Sequence, residues 1–112
     1  MNSQIAIKNN SAWKVEVEET EDYLQVIDAH PEWCGPCKAI QNTFKKVFFD
    51  LSEKPLKFYT APIDKINALA DYKEHSEKPI FLFYQNGEKI HEQIGCDPPK
   101  LIHYIEKHFG IE

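Results

Sequence analysis

The run Pro79-Ile80-Phe81-Leu82-Phe83-Tyr84, followed by Asn86-Gly87, limits the fold more than any other stretch of the chain. A near-continuous apolar segment of this length reads as a strand buried on both faces. Asn-Gly marks a tight two-residue hairpin, so Lys89 to Ile94 must return antiparallel to it. Upstream, strands alternate with helices. Gln4 to Ile7 reads as a short strand, Leu24 to Ala29 as a buried strand with an acid near its end, and Leu56 to Ala61 as another. Ile40, Phe44, Val47, Phe48 and Leu51 recur at spacings of three and four, which is one apolar stripe of a helix, with Lys38, Gln41, Asn42, Lys45 and Lys46 on most of its other side. Ile66, Leu69 and Ala70 indicate a short amphipathic helix before the polar stretch Lys73 to Lys78. After Gly95 and Pro98-Pro99, a last helix turns Leu101, Ile102, Ile105 and Phe109 inward. Parallel-type alternation joined to an obligatory hairpin predicts an α/β fold: a central mixed β-sheet flanked by helices on both faces.

Residues 11–22 fit two periods. Trp13, Val15 and Val17 alternate with Lys14, Glu16 and Glu18, as in a strand, whereas Asn10 or Ser11 is a good helix N-cap and the glutamates suit an exposed helix. With 112 residues, of which 42% are hydrophobic, the chain is expected to form one domain over residues 1–112.

The chemistry is concentrated in Trp33-Cys34-Gly35-Pro36-Cys37. Two cysteines separated by two residues can close a small disulfide ring. If a helix starts at the first, Cys34 lies at the positive end of the helix dipole, where a thiolate is favoured and becomes a nucleophile. Cys37, one turn on, can attack any mixed disulfide that Cys34 forms. Gly35 allows a tight turn and Pro36 suits a helix's first turn. This is dithiol–disulfide exchange chemistry. The third cysteine, Cys96, leaves an odd count with one close pair, unlike a secreted disulfide framework. Zinc would need Cys96 or a histidine to join the pair. His103 and His108, five apart on a helix, face different ways, so no metal site and no bound cofactor are expected.

The net charge is -5, and all 13 basic residues are lysines. An acidic chain without arginine lacks the usual means of clamping phosphate or reading guanine, which argues against nucleic acid and anionic membranes as partners. There is no apolar run long enough to span a membrane, and the first residues lack the apolar core of a signal peptide, so an intracellular, cytoplasmic location is expected.

On these residues the chain resembles the thioredoxin family, from about Ile5 to Phe109. Trp-Cys-Gly-Pro-Cys-Lys at 33–38 matches the family's active-site motif. Asp28, six residues before Cys34, stands where the family keeps a buried acid behind the second cysteine. Asp64 stands fifteen before Pro79, and Phe81-Leu82-Phe83, Asn86-Gly87-Glu88 and Gly95 fit the family's hairpin and the glycine after it. The resemblance implies the thioredoxin fold and makes 11–22 the first helix. It implies catalytic roles for Cys34 as nucleophile, Cys37 as resolving thiol, and Asp28 as the acid that takes the Cys37 proton, its pKa raised by burial. It implies a substrate surface of Trp33, Gly35, Pro36, Lys78, Pro79 and Gly95, with Pro79 in the cis form. There the backbone of Lys78 pairs with an extended substrate.

Four departures stand out. Thr60 replaces a lysine that many thioredoxins keep near the acid, so Asp28 should be harder to ionise. Lys78 replaces an apolar residue or threonine, which favours acidic partners. His30-Pro31 replaces an aromatic residue followed by alanine, and Asn42 replaces a helix-kinking proline.

Asn9-Asn10-Ser11-Ala12-Trp13, Val26-Ile27-Asp28 and Lys78 to Tyr84 further resemble a ciliary branch of the family. That branch comprises the thioredoxin-type light chains of axonemal outer-arm dynein and the thioredoxin domains fused to nucleoside diphosphate kinase domains. It implies a redox-active light chain in the cilium axoneme, with the dynein heavy chain or other outer-arm subunits as partners. The alternative is a free-standing cytosolic thioredoxin, a protein-disulfide reductase whose partners are protein disulfides and a thioredoxin reductase.

Overall fold

The computed structural model describes residues 4–31, 38–75 and 78–111. Strand β1 (Gln4–Ala6) leads into a first helix, α1. Its initial turn (Asn10–Trp13) is α-helical, and it continues over Lys14–Glu18 with wider, i→i+5 bonding. Then follow β2 (Leu24–His30), α2 (Lys38–Asp50) and β3 (Leu56–Pro62). Two 3₁₀ segments, Ile63–Lys65 and Asn67–His75, stand where a short amphipathic helix is expected. The hairpin β4 (Ile80–Gln85) and β5 (Glu88–Ile94) and helix α3 (Pro98–His108) complete the chain.

The sheet order is β1-β3-β2-β4-β5. β1 and β2 run parallel to β3, β4 runs antiparallel to β2, and β5 antiparallel to β4, so the sheet is mixed as expected. Strand alternation divides the core. Ile27, Ala29, Tyr59, Ala61, Ile80 and Leu82 face Trp13 and Val17 of α1, Ile66 between the two 3₁₀ segments and Leu69 of the second. Leu24, Val26, Phe58, Phe81 and Phe83 face Ile40, Phe44 and Val47 of α2 and Leu101 and Ile105 of α3.

Helical spacing prevails over alternation in residues 11–22. Trp13 and Val17, four apart, are buried together, while Val15 between them is exposed. Asn9 caps the helix, its side chain accepting the Ala12 N–H at 2.8 Å. At the other end the Glu19 N–H reaches the Lys14 carbonyl at 2.9 Å. The side chain of Gln25, wholly buried in β2, donates to the Glu16 carbonyl and, at 2.9 Å, to the Tyr59 hydroxyl. A buried polar side chain thereby satisfies a carbonyl that the helix end leaves open.

The hairpin turn is as its sequence demands. Asn86 (φ 52°) and Gly87 (φ 80°) both take left-handed backbone. The turn is also held from outside: the Asn86 side chain accepts the Asp22 N–H at 2.8 Å. A Cβ on Gly87 would come within 3.0 Å of the Glu18 carbonyl oxygen, so glycine is needed there for space as well as for φ. In α3, Pro98 and Pro99 occupy the first turn, where no backbone donor is required, and Asp97 caps the Lys100 N–H at 3.2 Å.

At the outer edge of the sheet, His91 of β5 lies flat on Tyr104 of α3, ring centroids 3.9 Å apart, with Phe83 of β4 at 5.2 Å. Partial burial, and then the Lys100 charge, hold its pKa below the ordinary value, against the opposing pull of Glu92. The unfolded chain therefore binds the proton more readily. The contribution of His91 to stability is complete above its unfolded pKa of about 6.5 and is lost as pH falls through the lower folded value. An NMR titration is expected to place the His91 midpoint below about 6.5. A midpoint at or above that value would show that the stack does not disfavour the charged ring.

Candidate functional site

The structure gathers the site residues it describes at one end of the sheet, the carboxyl end of β2. Asp28, 1% exposed, lies opposite Thr60 of β3 and Phe81 of β4. It belongs to the face that α2 covers. The chain leaves β2 at His30 and re-enters regular structure at Lys38, the first residue of α2. Trp33, Cys34, Gly35, Pro36 and Cys37 fall between these points in the sequence and lie outside the described residues. The buried acid therefore stands two residues before the end of the strand that leads into the dithiol motif, on the face of the helix that follows it.

β4 starts at the same end, since Ile80 pairs with Ala29, and β5 finishes there, since Ile94 pairs with Ile80. Pro79 and Gly95 meet across this edge: the Gly95 N–H donates to the Pro79 carbonyl at 2.7 Å. Gly95 has φ +100°, a conformation that favours glycine, and open space where a Cβ would stand. Lys78 is exposed and Pro79 half-buried. No peptide bond among the described residues is cis, so Lys78–Pro79 is trans, which corrects the expected cis form. The trans isomer of an X–Pro bond is intrinsically favoured by about 0.5–1 kcal/mol, and here it still leaves the Pro79 carbonyl bonded to Gly95.

The departures from the family pattern also fall at this end. Thr60, facing Asp28 across the β2–β3 pair, occupies the neighbouring position from which a lysine would act. His30 is half-buried, its Nδ1 2.9 Å from the Pro31 carbonyl oxygen, and Pro31 is buried. Cys96 follows Gly95 and is exposed. One connection had no signal in the sequence: Tyr72 of the second 3₁₀ segment, Lys89 and Glu92 form a triangle. The Tyr72 hydroxyl donates to Glu92 at 2.8 Å, and Lys89 donates to the same carboxylate at 2.8 Å and to the hydroxyl at 2.5 Å. Its hydrogen bond to Lys89, then that to Tyr72, lowers the Glu92 pKa. The triangle fastens the 3₁₀ segment to β5. Gln93, 3% exposed and donating to the Asp97 carbonyl at 3.2 Å, similarly joins β5 to the cap of α3.

This sheet, with its helices on both faces, is the thioredoxin fold. The thioredoxin of Malassezia sympodialis superposes with a TM-score of 0.74 at 32% identity, over 96% of this chain and 92% of that one. The family model for thioredoxin matches residues 4–107, and the chain belongs to the thioredoxin family. Among its relatives is the Dynein 14 kDa light chain of the flagellar outer arm of Chlamydomonas reinhardtii. The two are 45% identical over 95 residues, which cover 85% of this chain and 73% of that protein. The Thioredoxin domain-containing protein 3 homolog of Ciona intestinalis is 36% identical over 104 residues, 93% of this chain but 16% of that protein. No helix among the described residues is long and apolar enough to cross a membrane.

Proposed function

We propose that this chain is a single thioredoxin domain that serves as a redox-active light chain of the ciliary outer dynein arm. The observation that carries the reading is its 45% identity with the Chlamydomonas outer-arm light chain over most of both proteins. The intact Cys34-Gly35-Pro36-Cys37 motif and the buried Asp28 on the strand before it support retained thiol chemistry.

The Cys34 thiolate attacks one sulfur of a target disulfide. A bond forms between the two sulfurs, the target S–S bond breaks, and the second target sulfur leaves as a thiolate. Cys37, having given its proton to Asp28, then attacks Cys34, releasing the first target sulfur and closing Cys34–Cys37. The target gains two electrons and the dithiol loses two. A reductase returns them by the same exchange. No metal or organic cofactor enters these steps. Asp28 is buried, and Thr60 stands opposite it in β3. Lys78, Pro79 and Gly95 would bind the target segment beside the dithiol, with Trp33, Gly35 and Pro36 completing the surface.

A free-standing cytosolic thioredoxin is the second reading, favoured by the match to the Malassezia protein over nearly the whole of both chains. Tagged protein recovered from ciliated cells, washed with and without dithiothreitol, separates the two. Dynein heavy chains held in fixed ratio through the reductant are expected. A diverse bound set that dithiothreitol releases would leave the working thioredoxin and remove the light-chain reading.

A further inference from the structure

Where β2 and β3 begin, at the end of the sheet away from Pro79 and Gly95, lies a groove of about 290 Å³. Tyr23, Phe48, Leu56 and Ile5 supply its apolar surface, and Lys54 and Lys57 its charge. No acidic residue lines it, although the whole chain carries a net charge of -5; Asp22 and Glu53, adjacent in sequence to lining residues, are not among them. Neither lysine is in an ion pair among the described residues, and the Lys57 ammonium lies 4.5 Å from the centroid of the Tyr23 ring. Phe49 is 79% exposed on α2, and it stands three residues before Ser52, which lines the groove, and four after Lys45. Helical spacing puts Lys45 and Phe49 on one side of α2, and Ser52 lies in the turn that follows the helix. The groove is thus extended by the most exposed aromatic side chain given for the core helices and by a third lysine.

We infer that this groove is the docking surface of the subunit: it holds an acidic segment of a larger protein, whose apolar side chains enter among Tyr23, Phe48 and Phe49 while its carboxylates meet Lys45, Lys54 and Lys57. Charge selects this occupant. A basic segment would be repelled by the rim, and two copies packed groove to groove would bring their lysines together. The inference rests on the light-chain reading and adds to it the place of attachment. The groove lies where β2 begins, whereas the Cys34–Cys37 motif follows that strand's last residue in sequence, so docking and thiol exchange use different parts of the chain.

The test uses the whole reduced chain, labelled with ¹⁵N, and a synthetic peptide of alternating glutamate and leucine or phenylalanine. Amide shifts are expected at Tyr23, Phe48, Phe49 and Lys57. The Lys54→Glu/Lys57→Glu variant, its fold checked by circular dichroism, should bind at least about tenfold more weakly, as should Phe49→Ala. Shifts confined to the Pro79–Gly95 end, equal binding of the peptide with lysine in place of glutamate, unchanged affinity in the variants, or a wild-type dimer that buries Phe49 would each overturn the inference. In the cell-extract recovery, the partner that the wild type retains through dithiothreitol should be lost from the double variant and kept by Cys34→Ser. A wild type that retains no such partner defeats the light-chain reading, while the peptide titration still decides the groove.

Discussion

Cys34→Ser is expected to lower the rate of protein-disulfide reduction at least ~10³-fold, because the only group that begins the exchange is then missing. Cys37→Ser should behave differently. The first attack remains, the resolving attack does not, and targets accumulate as mixed disulfides on Cys34. Non-reducing electrophoresis of each variant after exposure to disulfide-bearing protein reads both effects, with dithiothreitol collapsing the adducts. The asymmetry carries the assignment: equal trapping by the two variants would show that Cys34 is not the nucleophile. In the proposed mechanism Asp28 enters only at the second step, so Asp28→Asn should slow the release of trapped targets more than their capture.

The largest effect on stability is expected from Phe44→Ala. Phe44 is fully buried, stacked on Phe58 with centroids 4.3 Å apart and edge-on to Phe81 at 6.1 Å. Removing the ring loses its burial and leaves a cavity between α2 and the sheet, at a cost of about 3–5 kcal/mol. Against a typical total of about 5–15 kcal/mol, this should move the urea midpoint markedly without changing the slope. A loss under about 1 kcal/mol would mean that α2 closes over the gap and that the aromatic stack does not fix its position. The consequence reaches the site, since α2 begins one residue after Cys37.

The strands, the hairpin and the two long helices were legible because burial imposes a period on the sequence. Phe81 to Phe83 could only be central, and Asn86-Gly87 could only turn tightly. The first helix was less plain. Trp13, Val15 and Val17 satisfy a strand's alternation, and only the tertiary structure shows Val15 outside and Trp13 and Val17 inside. Asp28 is buried, as its place in a central strand led one to expect, whereas the hydrogen bond between Gly95 and Pro79 comes from sheet register, which brings both to one end. The Pro79 isomer was not legible: it turns on a small energy difference that no residue pattern reports. Nor were the Tyr72–Lys89–Glu92 triangle and the Gln25–Tyr59 contact, which join residues far apart in sequence by hydrogen bonds without periodicity. The groove at the far pole was hidden for a related reason. Tyr23, Phe48 and Lys57 come from three segments, and only folding places them together.

The central place of β2 has a consequence for the order of synthesis. Its neighbour β4 begins with Ile80, fifty residues after His30, so a chain leaving the ribosome presents β2, with Asp28, long before the strand that pairs with it on that side exists. Until then β2 has an open edge that another extended chain can pair with. A slowly translated chain, or one stalled before the β4–β5 hairpin, is therefore at its most vulnerable to wrong strand pairing. The hairpin acts as the closing half of a clasp that the first seventy-odd residues cannot fasten alone.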